Sequence, residues 1–198
     1  MNFQKTVNGN ISFILFFIIS GTLSITFSAA QTLNTNWERD LQQSLSEFQN
    51  CNNTNLEGVS PCNKYLGESL KTVYNINDFY SKSLGRYMLV SEMMNFLENS
   101  SKWELLGRAY EQDVLNKAQD LANAKKAVIA IYLDENGLGT ISLILPGETK
   151  PSGSWGFQVP NSVSLLTYEP EKSYVNKGLS YAFGRNIITK VLIYSRKY

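Results

Sequence analysis

The hydrophobic period of this chain changes near residue 125, and that change restricts the folds open to it more than any single motif does. On the N-terminal side, apolar residues recur at helical spacing. Trp37, Leu41, Leu45 and Phe48 predict a first helix, opened by Thr35-Asn36-Trp37-Glu38, where Thr and Glu stand at the spacing of a capping box. A polar, Asn-rich loop follows from Gln49 to Asn55. Ser60-Pro61-Cys62 then predicts a second helix start, with Ser as cap, Pro at the first helical position and Cys62 in the first turn; Tyr65, Leu66, Leu70 and Val73 supply its buried stripe. A third helix is expected over 87–97 from Leu89, Val90, Met93, Met94 and Leu97, with the Met pair in the core. A fourth is expected over 109–124 from Val114, Leu115, Ala118, Leu121 and Ala122. Beyond it the pattern turns to strands. The β-branched run 127–133 and the segment 140–145 are separated by Asp134-Glu135-Asn136-Gly137, which reads as a hairpin, and Lys190 to Tyr194 reads as a last strand. Helices first and strands afterwards imply an α+β domain, with N-terminal helices packed on one face of an antiparallel sheet.

The first thirty residues set the compartment. Lys5 supplies a weakly basic start, Ile11 to Phe27 carries no charge, and Ser28-Ala29-Ala30 offers small side chains before Gln31, so 1–30 reads as a secretion signal cleaved after Ala30. The apolar run falls short of the roughly 18–20 residues that span a bilayer, and no cysteine stands at the cleavage point to take a lipid. The mature chain is therefore expected to be exported, periplasmic or extracellular, without a membrane span, and 31–198 to form a single domain. The chain has 18 Lys and Arg against 17 Asp and Glu, so losing Lys5 leaves 17 against 17, scattered among one another. That balance argues against nucleic acid as a partner.

Several motifs reduce to simpler readings. Asp134, Asn136 and Gly139 match the opening of a calcium loop, but Leu145 stands where a bidentate carboxylate belongs, and a turn is expected instead. Asn52-Asn53-Thr54 and Asn99-Ser100-Ser101 fit the N-glycosylation pattern, which short chains often match by chance. The sequence has no histidine, two cysteines and no phosphate-cradling glycine loop, so no metal and no cofactor is expected.

Two roles compete for Cys62. A thiol in the first turn of a helix faces unpaired N–H groups, which favour thiolate. In an oxidising compartment, however, Cys51 and Cys62 can close a short loop, and a disulfide between them is the expectation, motivated by the turn-rich segment between them and the absence of any histidine. The order of Pro61-Cys62-Asn63-Lys64-Tyr65-Leu66-Gly67 opening a helix, a hairpin, and then Ile141 to Gly147 resembles secreted cysteine amidases of the papain-like clan, of the NlpC-like and CHAP families. The resemblance covers roughly 61–147. It implies a papain-like α+β fold, a cell-wall peptide as substrate and Cys62 as nucleophile. It also implies a histidine where this chain has Thr140 in Gly139-Thr140-Ile141-Ser142, and a hydroxyl does not accept a proton near neutral pH. The resemblance therefore points to an exported domain that lacks amidase activity and binds a cell-wall peptide or protein partner. The alternative is an active amidase using Cys62 with Asp78 or Glu148 as an unusual base. In the Gly-rich stretch 151–161, Trp155, Gln158 and Asn161 are candidate substrate contacts, while Trp155 and Phe157 can equally cover the sheet core.

Overall fold

A computed structural model describes residues 32–51 and 59–198. The expected signal segment and the Asn52-Asn53-Thr54 triplet lie outside the described residues. The helices are α1 (Trp37–Gln49), α2 (Lys64–Tyr74), α3 (Val90–Asn99) and α4 (Gln112–Asn123). The strands are β1 (Tyr80–Ser81), β2 (Arg86–Tyr87), β3 (Trp103–Arg108), β4 (Val128–Leu133), β5 (Gly139–Ile144), β6 (Lys150–Ser152), β7 (Phe157–Val159), β8 (Asn161–Ser164), β9 (Tyr174–Gly178) and β10 (Leu192–Arg196). Six of them form one antiparallel sheet in the order β3-β10-β4-β5-β8-β9, while β1–β2 and β6–β7 are separate hairpins. The domain is α+β with an antiparallel sheet.

The expectation that the helices share one face is corrected. Alternate residues of each central strand enter two different cores, as the pleat requires. Ile129, Ile131, Ile141, Leu143 and Tyr194 pack with the buried stripes of α1, α2 and α3. Val128, Ala130, Ile144, Val191 and Ile193 pack on the other face with Val114, Leu115, Ala118 and Ala122 of α4 and with Trp155, Leu179 and Phe183. A sheet rich in Val and Ile on both faces cannot leave either one in water, so α4 covers the second.

Helix boundaries also differ from the pattern. At α1 the predicted capping box does not form: Asn36 is the cap residue and makes no side-chain cap bond. Asn34 directs the chain instead, its Oδ1 accepting from the Asn36 N–H at 2.9 Å and its Nδ2 donating to Asp40 and to the Thr72 carbonyl of α2. A bond that ties two helices together has displaced the local cap. The third helix starts at Val90, because Tyr87 belongs to β2 and its ring lies against Gly67 of α2, where a Cβ would approach Tyr87 Cδ1 to 2.4 Å. Met93 is fully buried and Met94 partly so.

Strand β3 has no sequence signal of its own. Its residues Trp-Glu-Leu-Leu-Gly-Arg do not alternate, since it is an edge strand and Leu106 bulges between the pairs Ile193↔Gly107 and Tyr194↔Leu105. Gly107 takes φ +149°, and a Cβ there would meet Val114 Cγ2 at 2.6 Å, so this position needs glycine both for the bulge and for the approach of α4. The hairpin between β4 and β5 is as expected: Asp134 Oδ1 accepts from the N–H groups of Asn136 and Leu138, which uses the carboxylate to hold a turn.

Candidate functional site

Cys62 sits in the 3-10 turn Pro61–Asn63 that leads straight into α2. Ser60 in extended conformation accepts from the Cys62 N–H through its Oγ at 3.1 Å, so the predicted cap is in place. The Cys62 sulfur is bonded to Cys51, which follows the end of α1, with the Cα atoms 5.9 Å apart. The bridge is the expected one and lies within the range of ordinary disulfides. It fixes the C-terminus of α1 to the start of α2 at a point where Phe48 and Tyr65 meet edge to face at 5.9 Å and the Lys64 ammonium lies over the Tyr65 ring. Cross-linking across eleven positions restricts the unfolded chain enough to contribute about 3 kcal/mol. In this oxidised form Cys62 carries no thiol.

Thr140 is the second residue of β5, paired with Tyr132. Its neighbours Gly139 and Ile141 face the helical core: a Cβ on Gly139 would meet Val90 of α3, and Ile141 packs with α2. Alternation therefore turns Thr140 to the face covered by α4, along with Tyr132 and Ile144. Cys62 belongs to the core under α1 and α2, on the other face. The structure does not bring the two side chains to a common face of the sheet.

Neither carboxylate suggested as a base is free beside the sulfur. Asp78 accepts from Arg196 Nε at 2.7 Å and from the indole N–H of Trp103 at 3.1 Å, and the Asp78 and Arg196 side chains are 11% and 19% exposed. Arg196 lies over the ring of Tyr198, whose hydroxyl in turn accepts from the Ala127 N–H. Ion pairing with Asp78 holds the Arg196 guanidinium more firmly protonated than usual. The carboxylate thus ties the loop before β1 to β3 and β10. Glu148 is exposed in a groove beside α4 with Asn116, Asp120 and Asn123, on the face away from Cys62.

The three candidate contacts in 151–161 also separate. Trp155 is 2% exposed and its indole N–H donates to the Phe183 carbonyl, so it covers the second core. Gln158 is exposed, and its main chain is clamped by Gln112 of α4, which donates to its carbonyl and accepts from its N–H. Asn161 is 4% exposed and belongs to an amide network that runs from the buried Gln119 to the exposed Asn123. Gln119 Oε1 accepts from the Asn161 N–H, and Gln119 Nε2 donates to the Leu145 carbonyl and to Asn123. Asn123 pairs both main-chain groups of Gly147, and Asn161 Nδ2 donates to Pro146 and Asn176. The network pins the turn after β5 to α4. Sequence reading passed over Gln119, although a Gln between Leu115 and Ala122 on an apolar helical stripe is a visible anomaly.

One further concavity was not foreseen. A groove of about 550 Å3 lies between the β1–β2 hairpin and α3, lined by Leu84, Met88 and Phe96 with Ser91, Asn95 and Asn99 at its rim. Among the described residues, no group of three or more acidic or cysteine side chains is placed to hold a metal, and no helix is long and apolar enough to cross a membrane. Compared with models of known protein families the chain matches none, and no curated protein matches it.

Proposed function

We propose that this chain is an exported domain of papain-like, NlpC or CHAP type that binds a peptide, cell-wall fragment or protein partner and does not hydrolyse amides. The observation that carries the reading is the Cys51–Cys62 bond, because the sulfur that a cysteine amidase needs as nucleophile is engaged in it. The lack of histidine supports it further: acyl transfer requires a base for the thiol and an acid for the departing amine, the chain has no imidazole to serve as either, and Thr140 lies across the sheet from Cys62. A disulfide also suits the oxidising side of a membrane. What the resemblance contributes is the order of elements, with Cys62 at a helix start followed by the hairpin of β4 and β5 and by Pro146-Gly147.

Sedimentation of the oxidised protein with purified peptidoglycan, beside an unrelated disulfide-bonded secreted domain, tests the binding half. Retention above that control is expected, and equal retention overturns the cell-wall assignment. Chromatography of the soluble fragments tests the other half. No release is expected with or without a reducing thiol, and release that disappears in Cys62→Ala would make the protein an amidase.

A further inference from the structure

The two sulfurs of the bridge are chemically unequal. Cys51 follows α1 outside any helix and is only partly buried. Cys62 is 3% exposed, packed in the core with Phe48, Tyr65 and Leu66, and it opens the helical stretch that continues as α2. Reduction of a disulfide begins with a thiolate approaching one sulfur, and both access and the stability of the departing thiolate decide which. Access favours Cys51, since reaching Cys62 means opening the α1–α2 core. The leaving sulfur is then Cys62, whose own N–H and that of Asn63 are already taken by Ser60, so the helix start does little for its anion. Burial of Cys62 opposes that ionisation, so access is the deciding factor.

We infer that the Cys51–Cys62 bond is a directional redox switch, in which an external small thiol attacks Cys51 and Cys62 is released as the resident thiol. In the first step the incoming thiolate forms a new S–S bond to Cys51 Sγ, the Cys51–Cys62 bond breaks, and its electron pair stays on Cys62 Sγ. That sulfur remains a thiolate or takes a proton from water. In the second step another small thiolate attacks the first one's sulfur, freeing Cys51 as thiolate and leaving the small thiols oxidised to their own disulfide. The two electrons come from the two small thiols. Thiol reductants would thus convert a stapled domain into one with an unpaired Cys62 at a helix start, without passing through an adduct on Cys62. The inference is independent of what the domain binds.

The test uses the oxidised full chain and glutathione, quenched with acid at times from seconds onward, alkylated and mapped by mass spectrometry without reduction. The expected result is glutathione on Cys51 with alkylated Cys62, exceeding the reverse arrangement on the order of tenfold at early times. Equal adducts, or a majority on Cys62, would overturn the directionality. Absence of any Cys51 adduct throughout the time course would overturn the switch itself.

Discussion

The sheet face beneath α1, α2 and α3 is covered by large apolar and aromatic side chains, whereas the face beneath α4 combines several alanines with Trp155, Phe183 and Leu115 and adds a network of amides. On the first face Leu41, Leu70, Phe48, Phe79 and Met93 are almost wholly buried, Phe79 stacks on Trp103 at 5.8 Å, and the disulfide joins the partly buried Cys51 to Cys62 inside this core. On the second, Ala109, Ala118, Ala122 and Ala130 allow close approach, and Gln119, Asn123 and Asn161 exchange hydrogen bonds with the turn after β5. The difference teaches that one face is held chiefly by area removed from water and the other partly by hydrogen-bonded amides, although among the described residues Asn161 Oδ1 is buried there without a partner. The first kind of packing tolerates exchange of one apolar residue for another of similar volume. The second does not, since losing one amide strands its buried partners.

Three substitutions break or sharpen this contrast. The largest effect is expected on the apolar face. Leu70 is 1% exposed and borders a void of only about 10 Å3 between α2 and the sheet. Leu70→Ala should cost about 3–4 kcal/mol in urea unfolding, because it removes transfer energy and leaves a cavity that helices tied by a disulfide close poorly. A loss below about 1 kcal/mol would mean that this face is loosely packed.

An intermediate effect is expected from Gln119→Leu, which conserves shape but leaves the Asn161 N–H and the Leu145 carbonyl without partners. About 2 kcal/mol should be lost. Hydrogen exchange at the Asn161 amide should accelerate well beyond the change that Leu70→Ala causes there. If Gln119→Leu were neutral, the polar network would be decoration and the two faces equivalent in kind.

The smallest effect is expected where charge holds the apolar face at its rim. Glu92 pairs with Arg86 through two bonds and also accepts from the Leu89 N–H at 2.7 Å at the start of α3, so its carboxyl titrates below the ordinary value of 4.5. A depressed folded-state value stabilises the fold above the unfolded value, and this contribution fades as pH falls through the lowered one. Both side chains are about a third exposed, at 30% and 34%, so Glu92→Gln should cost less than about 1 kcal/mol at pH 7. Its stability curve should be flatter than that of the parent below pH 4.5 and parallel to it above. An unchanged acid limb would show that the pair contributes nothing.

Much of the fold and little of the site was legible in the chain. The helical stripes, the cap at Ser60, the hairpin at Asp134 to Gly137 and the Cys51–Cys62 bridge all follow from neighbours a few residues apart, or from a loop closed over eleven positions. Local sterics, hydrogen-bonding reach and hydrophobic period set such features, and sequence expresses all three. Which helices cover each sheet face was hidden, although the continuous apolar runs of β4 and β5 mark both faces as buried. The same is true of β10, which enters the sheet between β3 and β4 from the far end of the chain, and of β3, whose alternation is broken by a bulge. Asp78, a candidate base by sequence, became the partner of Arg196 and Trp103, and Asn161 became part of an internal network. Sequence by itself determined the four helices, the β4–β5 hairpin and the last strand, and it made the redox link the expectation, because the causes of these features are short-range. Only tertiary structure decided which face each side chain meets and which polar groups are already satisfied, because those depend on pairings between residues tens of positions apart.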